Sequence, residues 1–174
     1  MSRYEERMHT PPTQPLDPTL YARFGDVLGL RSDRKPSLVN LDTAQRFNHL
    51  VDLQNLRPDA VPNFSFFRCD PTPQNPFRVH LLEKHPYSTQ VFIPMNGVTR
   101  YLLIVALGDE QPDLNQLGVF IATGHQGVSY RPGVWHHPLI ALDRLSDFSC
   151  LVWEDGSAGD CVVHSLSSPF SVTY

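Results

Sequence analysis

Cysteine is scarce in this chain of 174 residues: Cys69, Cys150 and Cys161 stand far apart, too few for a disulfide framework and without the Cys-x-x-Cys spacing of a zinc site. They are expected to be small buried thiols in a reducing compartment. Positive charge is also sparse. Fourteen Lys and Arg face 18 Asp and Glu, a formal charge of −4, and no basic run exceeds two residues. The clustered basic surface of a nucleic-acid binder is therefore missing. The longest uncharged apolar stretch is Tyr101 to Gly108, far short of the roughly 20 residues of a membrane-spanning helix. The opening residues MSRYEERMHT are too charged for a secretory signal, so the expected location is the cytoplasm, with neither membrane nor nucleic acid as partner.

Proline, by contrast, is abundant: 16 residues against 10 glycines, well above the usual share of about 5%. Proline is excluded from helix interiors, which argues against a helical bundle and for strands and turns. With 41% hydrophobic residues, the chain has the length and apolar content of one domain with a buried core. Residues 1–15 mix charges with Pro11, Pro12 and Pro15 and read as a tail, with the domain running from 16 to 174. Asp17 and Pro18 form a cap and first-turn pair for a short helix to about Phe24, ending at Gly25 or Gly29. Thr43 to Leu53 reads as a second, irregular helix.

From Phe64 onward, short apolar runs alternate with turn dipeptides. Strands are expected at Phe64–Arg68, Phe77–Glu83, Gln90–Pro94, Tyr101–Leu107, Val119–Thr123, Gly127–Tyr130, Pro138–Leu142, Phe148–Glu154 and Cys161–Leu166. Asp70-Pro71, Asn75-Pro76, Asn96-Gly97, Gly108-Asp109, Pro132-Gly133 and Asp155-Gly156 punctuate them with turn chemistry. Short strands at this spacing indicate a sandwich or barrel.

Two stretches place polar, chemically capable residues inside this strand-like sequence. They run from Glu83 through His85 and Gln90 to Pro94, and from Gln126 through Tyr130, Pro132-Gly133, Trp135, His136 and His137 to Pro138. Glu83 and His85 are two apart and share a strand face, whereas His136 and His137 are adjacent and must point to opposite faces. His136 is the one expected to face the interior, leaving His137 for a subunit contact. Imidazole titrates near neutral pH, and a partly buried carboxylate is raised toward it, so His85, His136 and Glu83 suit proton transfer. Gln90 and Tyr130 offer hydrogen bonds. The other histidines, His9, His49, His80, His125 and His164, read as surface or satisfied core residues.

The spacing resembles the two half-motifs of the cupin family, small β-barrels in which the first motif offers two histidines, a carboxylate and a glycine six residues later. Here those places hold Glu83, His85 and Gln90, with Gly97 after six intervening residues, and the second motif matches Gly127, Pro132-Gly133 and His136. The resemblance implies a mainly β fold, a cupin-like antiparallel β-barrel or jelly roll with one or two short N-terminal helices. It also implies a metal set of His85, His136, Glu83 and Gln90 for nickel or zinc, weaker than usual because an amide is a poor ligand for those ions.

Longer words are similar to the ureidoglycolate lyases, cupin-like enzymes of allantoin and purine breakdown: EKHPYSTQVFIPM at 83–95, YLLIVA at 101–106, QGVSY at 126–130 and WHHPL at 135–139, with FGDV at 24–27 and TAQRF at 43–47 in family order. Asp42 departs from the glycine that the family tends to place before the Thr-Ala pair. The resemblance implies a homodimeric carbon–nitrogen lyase that splits ureidoglycolate into glyoxylate and urea. Two rival readings are an amidohydrolase releasing ammonia from the same substrate and a non-enzymatic cupin that binds a small carboxylate. For the lyase, His85, His136, Glu83, Gln90 and Tyr130 are the catalytic candidates. Arg68, Lys84 or Arg78 would pair with the substrate carboxylate, and Trp135 would pack in the core or wall the pocket.

Overall fold

The computed structural model describes residues 10–30 and 34–174; the expected tail up to residue 9, His9 included, lies outside them. Pro18–Tyr21 forms α1, where the Asp17 carboxylate accepts the backbone N–H groups of Thr19 (2.8 Å) and Leu20 (3.0 Å). Asp17 and Pro18 thus act as the sequence suggests. The helix stops at Tyr21 rather than Phe24, because Phe24 and Gly25 turn back onto the Tyr21 carbonyl.

The strands are β1 (Gln14–Pro15), β2 (Val27–Leu28), β3 (Ser37–Val39), β4 (Ala44–Arg46), β5 (Val61–Cys69), β6 (Phe77–Lys84), β7 (Gln90–Pro94) and β8 (Arg100–Ala106). They continue with β9 (Leu117–Thr123), β10 (Gly127–Tyr130), β11 (Trp135–His136), β12 (Ile140–Ala141), β13 (Ser146–Glu154) and β14 (Val162–Val172). One sheet runs β1-β9-β8-β11-β6-β14, with β12 also on β8; a second runs β2-β10-β7-β13-β5. All pairs in them are antiparallel except β1 on β9. This is the mainly β, two-sheet arrangement that the cupin resemblance implies. β1 falls inside the segment read as tail, and β14 extends six residues beyond the expected strand end at Leu166.

The expected helix at Thr43–Leu53 is absent. Ala44–Arg46 pairs instead with Ser37–Val39 in a separate hairpin. Its turn places Asn40 (φ 53°), Leu41 (φ 56°) and Asp42 (φ 65°) in the left-handed region, the conformation that favours glycine and, among other residues, Asn and Asp. Asp42 therefore serves the turn at which the family tends to place glycine, and the hairpin this turn closes takes the residues a helix would have needed.

Two cores explain the apolar run that dominates the sequence. Tyr101, Leu103 and Val105 of β8 face Phe92, Val128, Tyr130 and Phe148 of the second sheet. Leu102, Ile104 and Ala106 point the other way, to Val79, Leu82, Trp135, Ile140 and Phe170. A strand buried on both faces loses polar alternation, so Tyr101 to Ala106 reads as continuous hydrophobe. The first sheet curls far enough that β14 at one end and β9 near the other feed this second cluster. The packing direction of β11 follows from its register. His136 lies opposite Val105, on the inter-sheet side, and Trp135 opposite Ala106, on the far side.

Candidate active site

The two polar stretches meet because β11 lies between β6 and β8. His136 pairs with Glu83 of β6 in register, so both side chains enter the space between the sheets. At the end of β6 the chain turns, and the Gly133 N–H donates to the His85 carbonyl at 2.9 Å, which locks the Pro132-Gly133 turn onto the first stretch. Gln90 enters from the opposite sheet, opposite Tyr130 of β10. The result is a cavity of about 360 Å³ lined by Glu83, His85, Gln90, Asn63, Ser65, Cys150 and Glu154, with Phe67, Phe92, Leu139 and Val152 as apolar wall.

Ligand atoms of Glu83, His85 and His136 lie within 4.8 Å of one another. The ring orientations are set from behind. The Nδ1 of His85 is 2.8 Å from the Asp160 carbonyl and that of His136 is 3.0 Å from the Val134 carbonyl. A carbonyl only accepts, so both rings carry their proton on Nδ1 and keep a lone pair on Nε2. Both Nε2 atoms, and the Gln90 Oε1, are buried with no hydrogen-bond partner. Such orphaned acceptors are costly in a protein interior and point to something the site receives.

Burial pushes His136 down to about 3, helped by neighbouring His85, and it pushes His85 down as well. Burial raises the Glu83 carboxyl. The 3.7 Å approach of Glu83 Oε1 to His136 Nε2 is therefore a contact between a carboxylate and a neutral ring, not an ion pair. Tyr130 lies flat on His136, ring centroids 4.0 Å apart and 3° from parallel, and His85 stacks on it at 5.6 Å. Two neutral imidazole lone pairs and a carboxylate fit a borderline divalent cation, and the bonds from each Nδ1–H to a backbone carbonyl are the outer-shell support that metal-bound histidines ordinarily have. Glu83, His85 and His136 are the residues that would hold one.

Lys84 and Trp135, expected to bind substrate, lie on the other face of the sheet. Each is the sequence neighbour of a site residue, and strand alternation turns it away. Lys84 sits over the Trp135 ring at 4.4 Å and its ammonium donates to the Asp109 carbonyl, while Trp135 is fully buried in the second core. Arg68 is engaged twice by Asp147, at 2.8 and 3.1 Å, with a largely exposed side chain, and does not line the cavity. Tyr130 contributes its stacking on His136 rather than a place in the lining. The sequence reading missed Asn63, Ser65 and Glu154. They alternate along β5 or end β13, and no local motif marks them. Among the described residues a larger hollow of about 980 Å³ lies elsewhere, near Leu16, Val27, Phe47 and Leu50, without a buried titratable side chain.

A two-sheet β fold with two neutral imidazoles and a raised carboxyl converging beside a cavity between the sheets defines a cupin-like small-molecule site. The chain belongs to the ureidoglycolate lyase family, whose model matches residues 8–173. A ureidoglycolate lyase of Salmonella typhimurium is 40% identical over 152 residues, 87% of this chain and 91% of that protein, and one of Salmonella enteritidis is 39% identical over the same span. Among solved structures, a dTDP sugar isomerase from Desulfovibrio desulfuricans G20 is similar at 12% identity and TM-score 0.49, over 83% of this chain and 85% of its own.

Proposed function

We propose that the protein is a ureidoglycolate lyase that releases glyoxylate and urea. The observation that carries this is the convergence of His85 Nε2, His136 Nε2 and the Glu83 carboxylate within 4.8 Å of one another, with Glu83 and His85 lining the cavity and His136 buried beside them, in a chain of that family. The substrate's reacting carbon bears a hydroxyl, a carboxylate and a urea nitrogen. As the hydroxyl proton leaves, the C–O bond becomes the carbonyl of glyoxylate, the C–N bond breaks with its electron pair on nitrogen, and nitrogen takes a proton. His85 Nε2, an acceptor by virtue of its Nδ1–H bond, takes the hydroxyl proton. Glu83, raised by burial, holds the proton that the departing nitrogen receives. His136 Nε2 and Gln90 Oε1 accept N–H groups of the urea moiety. No lysine or arginine lines the cavity among the described residues, so Asn63, Ser65 and the Gln90 amide are the donors left for the substrate carboxylate.

A nickel or zinc ion held by His85, His136 and Glu83, with Gln90 as fourth donor, would occupy these same lone pairs and would replace their proton transfers with Lewis-acid stabilisation of the developing oxyanion. The reading is tested by incubating purified protein with ureidoglycolate, before and after chelation, and measuring glyoxylate, urea and ammonia. Glyoxylate and urea in equal amounts are expected. Ammonia in place of urea would show an amidohydrolase, and binding without any product would show a carboxylate-binding cupin. Activity that survives complete chelation would assign the chemistry to the side chains alone.

The protein is further read as a cytoplasmic homodimer, the state implied by the family. Among the described residues no helix is long and apolar enough to cross a membrane. Edge strand β5 exposes Val61, Phe64 and Phe66 at 64%, 72% and 55%, beside the cavity, and unpaired apolar edges of this kind are covered in native proteins. Sedimentation at micromolar concentration should give twice the chain mass; a monomer mass would exclude the dimer.

A further inference from the structure

We propose that Arg57, which does not line the cavity, is a positioning residue for His85. By gripping the Asp160 carboxylate it sets the carbonyl that holds the His85 ring with its Nε2 lone pair toward the substrate. The inference deepens the lyase reading and rests on it for its effect on turnover.

The segment 155–161 between β13 and β14 is wound around one carboxylate. Asp160 accepts the backbone N–H groups of Asp155 (3.0 Å) and Gly156 (2.7 Å) and pairs with the Arg57 guanidinium. The other nitrogen of the same guanidinium lies 2.7 Å from the Asp155 carboxylate and 3.2 Å from the Ser157 hydroxyl. Arg57 and Asp160 side chains are only 16% and 14% exposed, so this is not a solvated surface pair of the kind that contributes little. The guanidinium also lies 4.9 Å from the Tyr87 ring, two residues beyond His85, and the neighbouring Leu56 N–H donates to the Tyr87 carbonyl at 2.7 Å. One planar fork therefore ties the segment carrying the Asp160 carbonyl to the turn carrying His85. That task needs two parallel donors at fixed separation, which arginine has and lysine lacks.

The carbonyl it fixes is the acceptor 2.8 Å from His85 Nδ1. If that carbonyl drifts, the ring is free to move its proton to Nε2, and the lone pair no longer faces the cavity. Such outer-shell groups typically affect metal affinity or activity by roughly 10- to 100-fold. The same loop also carries Cys161, whose thiol is 3.8 Å from Glu83, so loosening it disturbs both ends of the proton path.

The test uses full-length protein labelled with ¹⁵N-histidine. The imidazole nitrogens of His85, assigned by comparison with His85→Ala, should report the Nδ1–H tautomer in the wild type and a mixture in Arg57→Ala. Turnover should fall roughly 10- to 100-fold with KM little changed, and Arg57→Lys should recover part of the loss. Because Arg57 acts through His85, adding Arg57→Ala to His85→Ala should cost nothing more. An unchanged His85 tautomer in Arg57→Ala, or losses that multiply in the double variant, would overturn the proposal. Should Arg57→Ala fail to fold, Asp160→Asn keeps the backbone carbonyl while removing the charge that Arg57 grips, and the same tautomer shift is expected. The ring signal needs no substrate. A wild type without turnover would therefore refute the lyase reading, and the positioning of His85 would still be decided by the spectrum.

Discussion

Replacing His85 with alanine should lower ureidoglycolate turnover by roughly 10²- to 10⁴-fold, the range over which a positioned acid–base group ordinarily contributes. His85 is buried to 8% exposure and its Nε2 has no partner, so the ring contributes to stability chiefly through its Nδ1 bond to the Asp160 carbonyl and its stacking on His136. The variant should fold, and the loss should appear in kcat and kcat/KM together, because the interaction removed is made as the hydroxyl proton leaves. Steady-state kinetics on protein checked by circular dichroism measures it. Lys84→Ala is the matched control, since Lys84 is the immediate neighbour on the opposite face of the strand. A His85→Ala enzyme within tenfold of wild type would remove His85 from the chemistry.

A second large effect concerns acid stability. His136 is held neutral in the folded protein down to about pH 3, against an ordinary value of 6.5. Between those values the unfolded chain binds a proton that the folded one refuses, so the stability of metal-free protein must fall as pH is lowered through this window. From pH 7.5 to 4.5 the loss from His136 alone is on the order of 2 to 3 kcal/mol. His85 and His137, also lowered by burial, add in the same direction. Glu83 has the opposite sign: its raised pKa favours the folded state on the acid side. Urea unfolding of chelated wild type and His136→Phe across this range separates the terms. The wild type should lose stability steeply and the variant should lose much of that slope. Equal slopes would show that His136 is not kept neutral by burial.

Both effects depend on residues that were legible before any coordinates. Strand alternation admitted only one of His136 and His137 to the interior and the second half-motif matched His136, while Glu83, His85 and Gln90 stood out as polar residues inside strand-like sequence. Alternation applied one residue further would also have separated Lys84 and Trp135 from the cavity, since each neighbours a site residue; charge and aromaticity alone pointed the other way. Asn63, Ser65 and Glu154 carried no such signal. Their strands form the far wall of the cavity, brought there by the pairing of β5 with β13 across more than 70 residues of chain. Strand Ala44–Arg46 fell inside the stretch Thr43–Leu53 that reads as helix, because local spacing ignores the left-handed turn at Asn40–Asp42 that pairs it with Ser37–Val39.

By itself, then, the sequence determined that the chain is a β protein, through proline that bars helices and apolar runs of strand length. It also marked which imidazoles and carboxylate the fold would bring together, through alternation and motif spacing. Only the tertiary structure decided what surrounds them. The Asp160 carbonyl that fixes the His85 tautomer, the burial that keeps both rings neutral, and the Arg57 grip behind His85 arise from contacts between segments distant in sequence. No periodicity encodes such contacts, because periodicity reports the face a residue takes and not what the rest of the chain brings to that face.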